Sequence, residues 1–171
     1  MADTHTLIAA YNVGSGGSST IDFTSIPSTY TDLCIKLSAR SNNANIFDYL
    51  YTSFNGTAYN SPVRWIQSPG NSTPTTGTEN TGYSGIICGN TSTSGTFSNN
   101  EIYIANYTNT SRYKSFQVNG TMETNATTSY SHLLSGIWQS TAAINRITLK
   151  PDVNSFVQYT NAYLYGISNT P

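Results

Sequence analysis

Charge is what this chain lacks most. Of 171 residues, seven are basic and eight acidic, for a formal net charge of -1. No Lys or Arg occurs between Arg64 and Arg112. Phosphate backbones are held by clustered Lys and Arg, so no nucleic-acid partner is expected. Cysteine is almost absent, with only Cys34 and Cys88. A domain of this length buries roughly 70% of its unfolded surface and needs no disulfide framework to fold. Two free thiols are expected, although their separation does not forbid a late disulfide. No apolar run approaches the roughly 18 residues of a membrane span, so no membrane partner is expected. Residues Met1 to His5 show neither the basic nor the apolar segment of a signal peptide. The expectation is a soluble chain made in a cytosol.

The chemistry-bearing residues are few and scattered. His5 and His132 are the only histidines. His132 reads as a half-buried strand residue, on the side of Tyr130 and Leu134. The eight carboxylates are Asp3, Asp22, Asp32, Asp48, Glu79, Glu101, Glu123 and Asp152. None lies close to another in sequence, and glycosidase chemistry needs two facing each other across a cleft. Zinc and calcium spacings, Walker-type loops and dinucleotide glycine patterns are missing. No enzyme activity, cofactor or metal is expected.

Short neutral polar groups fill the gap. Ser, Thr and Asn make up 68 of the 171 residues, and 13 are Tyr. Seven Asn-x-Ser/Thr triplets occur, at Asn55, Asn71, Asn90, Asn106, Asn109, Asn119 and Asn125. Chance alone predicts about five from this composition, so they carry no message about glycosylation.

The apolar residues alternate. Leu33, Ile35, Leu37 and Ala39 fall on one face of Thr31 to Arg40, and Cys34, Lys36, Ser38 and Arg40 on the other. Ile46, Leu50 and Phe54 oppose Phe47, Tyr49 and Tyr51. Such alternation marks half-buried strands. Further strands are expected at 6–11, 19–23, 63–67, 85–88, 101–107, 115–123, 129–138, 144–149, 155–159 and 162–167. Short strands separated by turn signals indicate a sandwich or barrel. The fold expected is a single all-β domain over 1–171, an antiparallel sandwich of about ten short strands.

Turn residues punctuate it. Asn55-Gly56 and Asn119-Gly120 tolerate φ > 0 and suit tight hairpins; Asn119-Gly120 could equally be a bulge within one strand. Gly14 to Gly17 is a flexible connector. Gln67 to Gly82 has no apolar residue and two prolines, and reads as a long polar surface loop or an insertion. Gly89 to Gly95 reads as a second loop.

Tyrosine is the remaining candidate for function. Tyr49, Tyr51, Tyr103, Tyr107, Tyr163 and Tyr165 would lie along strand faces. Such rings can be core or cross-strand partners. They can also anchor protein interfaces or stack on sugars.

The run STIDFTSIPSTYTDLCIKLSAR (Ser19 to Arg40) resembles a family of small structural proteins of tailed bacteriophages. Phe54-Asn55-Gly56, Glu101 to Ile104, GIWQSTAAINRITL (Gly136 to Leu149) and AYLYGIS (Ala162 to Ser168) extend the resemblance in order along the chain. Pro62 to Gly95 departs most from the pattern. The resemblance implies a jelly-roll-like virion component, made in the host bacterial cytoplasm, that decorates or cements the capsid shell. Its implied partners are the major capsid protein and copies of itself, as a homotrimer. A head-fibre or tail-fibre module that binds a host glycan is the alternative.

Overall fold

Alternation becomes strands almost everywhere it was read. A computed structural model describes residues 5–57, 61–70, 72–125 and 128–168. Twelve strands and no helix occur among them. They are β1 (His5–Asn12), β2 (Ile21–Phe23), β3 (Asp32–Ala39), β4 (Phe47–Phe54), β5 (Val63–Pro69) and β6 (Thr75–Glu79). Then come β7 (Tyr83–Cys88), β8 (Ser98–Ile104), β9 (Lys114–Glu123), β10 (Ser129–Trp138), β11 (Ile147–Pro151) and β12 (Asn161–Ile167).

Two antiparallel sheets pack as a sandwich. The larger has the order β1-β12-β3-β8-β9-β10-β5-β6, the smaller β2-β11-β4-β7. Without β5, β6, β9 and β10, two four-stranded sheets remain, β1-β12-β3-β8 and β2-β11-β4-β7. The eight strands then form nested pairs, β1 with β12, β2 with β11, β3 with β8 and β4 with β7, which is the jelly-roll arrangement. The other four strands are two insertions, β5–β6 and β9–β10. Both extend the larger sheet beyond β8.

The core lies between the sheets. Leu33, Ile35 and Leu37 of β3 meet Ile102 and Ile104 of β8 and Leu164 of β12, and all are buried. The smaller sheet contributes Ile21, Leu50, Phe54, Ile147 and Leu149. Each such side chain is worth about 1.5–3 kcal/mol when fully buried. In β9 burial alternates without a break along all ten residues. β7 is instead buried on both faces, because the inserted β9 and β10 pack over it.

Two cations hold loops from inside. Arg40 follows β3 and is only 8% exposed. Its guanidinium donates to the carbonyls of Asn90 and Ser92 (3.0 and 2.8 Å) and of Thr93 and Thr96 (2.8 and 3.0 Å). The loop expected at Gly89 to Gly95 is a loop, and together with Thr96 it wraps around this guanidinium. Lys114, also buried, donates to the carbonyls of Arg112 and Thr141. Its ammonium lies 5.7 Å from the Trp138 ring centre.

Four readings need correction. Gln67 to Gly82 is not a long loop: its ends belong to β5 and the turn before β7, and β6 pairs in register with β5 from Val63↔Glu79 to Gln67↔Thr75. Asn71 lies outside the described residues. Asn55-Gly56 does turn tightly, with φ of 53° and 69°. It leads from β4 in one sheet towards β5 in the other, however, so it joins no hairpin. Residues 155–159 form no strand; Phe156 makes only single bridges to Ser18 and Ser41.

Asn119-Gly120 is neither hairpin nor bulge. It lies in β9, paired without interruption to β10. Glycine is needed there for space. A Cβ on Gly120 would lie 2.3 Å from Asn100 Oδ1 and 2.4 Å from His132 Nε2. Gly120→Ala should therefore lower stability by about 2 kcal/mol, the usual cost of overpacking a filled interior. Urea denaturation would measure it, and an unchanged midpoint would refute the packing account.

Candidate functional site

The larger sheet has one face packed on the core and one facing solvent. Register defines rows of side chains across that outer face. One row runs through all eight strands. Its first half is Leu7, Tyr165, Cys34 and Tyr103, on β1, β12, β3 and β8. Its second half is Gln117, Ser135, Arg64 and Thr78, on β9, β10, β5 and β6. The neighbouring row begins with Ala10, Tyr163, Lys36 and Glu101. The chemistry changes where the jelly roll ends and the insertions begin.

The jelly-roll half is aromatic and apolar. It brings together Tyr103, Tyr163 and Tyr165, three of the six tyrosines singled out by sequence. Leu7 stands exposed beside Tyr165. Cys34 is buried between Tyr165 and Tyr103, and burial pushes its thiol pKa up. Tyr103 donates its hydroxyl to the Asp32 carboxylate. That bond, more than burial, raises the phenol pKa to about 12. Lys36 and Glu101 pair across β3 and β8 in solvent, where such pairs contribute little.

The other three tyrosines lie elsewhere. Tyr49 and Tyr51 are on β4 of the smaller sheet, edge-on to Tyr83 at 5.7 and 6.3 Å. Tyr107 is a correction, being 0% exposed and part of the core. β8 stops at Ile104, and Asn106 turns the backbone with φ 49°. The alternation that began at Tyr103 does not reach Tyr107, whose hydroxyl bonds the Pro27 carbonyl inside the protein.

The inserted half is a trench. Two adjoining depressions of about 620 and 520 Å³ share Arg64, Thr78, Gln117 and Ser135. Ile66, Leu133 and Ile137 stand exposed along it. Tyr103 borders it from the jelly-roll side. No local motif in the sequence singles out these residues. Only the register of β5, β6, β9 and β10 brings them together.

Beneath the inserted half, β10 carries His132 against β7. The residue is 3% exposed, deeper than the half-buried place expected for it. Gly85, with φ 111°, and Gly120 both make room for its ring. Asn100 donates to Ser98 Oγ (3.1 Å) and to the Ile86 carbonyl (3.4 Å). Its Oδ1 and both ring nitrogens of His132 have no hydrogen-bond partner among the described residues. Burial depresses the His132 pKa to about 4.

On the smaller sheet, Asp22 accepts bonds from Arg146 (2.8 Å), Thr148 and Thr20 (3.1 Å). Burial alone would raise its pKa, but these bonds outweigh it and hold the carboxylate below the ordinary value. Cys34 and Cys88 are both free and buried. Among the described residues, no group of three or more His, Cys, Asp or Glu could hold a metal ion. No protein-family model matches the chain, and no curated protein matches it.

Proposed function

We infer that this is a non-enzymatic structural protein of a bacteriophage particle. It attaches to the outer surface of the head, against the major capsid protein, as a decoration or cement protein. The observation that carries this reading is the aromatic half of the outer face, where Leu7 of β1, Tyr163 and Tyr165 of β12 and Tyr103 of β8 lie within a span of four strands. Tyrosine is enriched at protein interfaces because it offers a large apolar area with a hydroxyl at its tip. Neutral contacts also tolerate changes of salt better than ion pairs, which are screened at physiological ionic strength. The resemblance to phage structural proteins supplies the setting. Three copies about a local three-fold axis fit the closed symmetry usual in such assemblies.

Cryo-EM of the parent virion tests the assignment. The expected result is density for this chain over the shell, in hundreds of copies. Density on tail or fibre alone would sink it. Tyr165→Ala together with Tyr163→Ala should weaken attachment to empty heads about 30-fold or more, the effect of losing one interface hot spot. Sedimentation of heads with bound protein would read that loss.

A further inference from the structure

We propose that the trench on the inserted half of the larger sheet is a carbohydrate site, one that takes a short oligosaccharide. The proposal goes beyond head attachment and does not depend on it, because, Tyr103 at the border apart, it uses other strands and other side chains.

The first ground is how the trench is made. β5–β6 and β9–β10 are not needed to close the jelly roll, whose eight strands already form two complete sheets. The insertions widen only the larger sheet, and the depressions lie on that added surface. Functional sites are commonly grafted onto a fold in this way. Each depression falls within the roughly 300–1,000 Å³ of small-ligand sites.

The second ground is unused hydrogen-bonding capacity. The side chains of Arg64, Thr78, Gln117 and Ser135 make no hydrogen bond or ion pair among the described residues. Most of the other cations are committed. Arg40 and Lys114 are bound by carbonyls, Lys36 by Glu101 and Arg146 by Asp22. In the trench, one amide, one guanidinium and two hydroxyls converge in one register row with nothing of the protein to bind.

The third ground is the match of chemistry. A sugar presents hydroxyls at its edge and C–H groups on its faces. Gln117, Ser135, Thr78 and Arg64 suit the hydroxyls. Ile66, Leu133 and the Tyr103 ring suit the C–H faces. Arg64 and Glu79, the charged residues along the trench, are one of each sign. Such a balance does not favour a polyphosphate ligand, which would need clustered cations. A flat protein surface would leave the depressions unfilled.

The test is titration of the full chain, followed by two-dimensional NMR, with neutral and uronic-acid oligosaccharides. Saturable shifts confined to β5, β6, β9, β10 and the neighbourhood of Tyr103 are expected, with millimolar affinity. Gln117→Ala and Arg64→Ala should each weaken binding about tenfold. Tyr113→Ala, an exposed ring on another loop, should leave it unchanged. Equal thermal midpoints would show that the variants are folded. Absence of shifts with every sugar at about 20 mM would overturn the proposal, as would binding that survives both trench variants. A Tyr163 and Tyr165 variant that loses head attachment but keeps sugar binding would show that the two sites are separate.

Discussion

Arg40→Ala should destabilise the protein by about 4 kcal/mol, the largest loss expected from a single surface-to-interior residue here. Four carbonyls, from Asn90, Ser92, Thr93 and Thr96, point at the Arg40 guanidinium. Alanine supplies no donor to any of them; the Thr93 carbonyl keeps its bonds from Thr96, but the other three are left orphaned at roughly 1–3 kcal/mol each. Partial entry of water makes the total smaller than the sum of three. Melting should fall by about 8–16 °C for a domain of this size. Arg40→Lys should restore no more than half, because an ammonium lacks the planar fork that reaches four acceptors. Calorimetry gives the total. Hydrogen exchange at residues 90–96 shows whether the loop opens first. A loss below about 1 kcal/mol would mean that the loop holds its shape without the arginine.

Acidification from pH 7 to pH 4 should cost about 3 kcal/mol through His132 alone. The sign follows from its depressed pKa of about 4 in the folded chain, against 6.5 in the open chain. Above pH 6.5 the ring is neutral in both states and the full stability is present. Between 6.5 and about 4 the unfolded chain takes up a proton that the folded chain refuses. Stability therefore falls steadily as pH falls, and levels off below pH 4. Asp48 works in the opposite sense. Burial, the largest influence on it, raises its pKa in spite of hydrogen bonds that lower it. Its protonation partly restores stability in the acid range. Comparing the protein with His132→Gln cancels the Asp48 contribution. Urea denaturation at each pH should give a steep curve for the native sequence and a flatter one for the variant. Parallel curves would show that His132 does not stay neutral in the folded protein.

Most strands were legible because a sandwich repeats one rule, with an apolar residue inward at every second position. β6 escaped because it breaks that rule. Its sequence, Thr-Thr-Gly-Thr-Glu, has no apolar residue, and it stays largely exposed at the sheet edge. Only pairing with β5 makes it a strand, and Gly77 there leaves room for the Trp65 ring. Residues 155–159 failed in the reverse way. Phe156 is fully buried without a ladder around it, so its apolar character signalled core and not strand. The candidate site divides similarly. Tyr103, Tyr163 and Tyr165 could be picked out as strand-face rings, and they do share a face. Tyr107 could not be told from them, because the turn at Asn106 leaves only a weak mark in the sequence. Gln117, Ser135, Arg64 and Thr78 are ordinary residues one at a time. Their alignment depends on the register of four strands, which no local pattern encodes.

The nested pairing also sets an order in time. β8, β9 and β10 are successive neighbours joined by short connections, so they can zip together early. Among the described residues, β1 pairs only with β12, and β2 only with β11. The strands made first must therefore wait for strands made near the end of synthesis. Closing such long loops is entropically expensive, and folds dominated by distant pairings reach the native state slowly. During that interval the exposed backbone of β1 and the apolar residues of β2 and β3 are open to pairing with other chains. A chain this poor in charge has little self-repulsion to keep its copies apart while it waits.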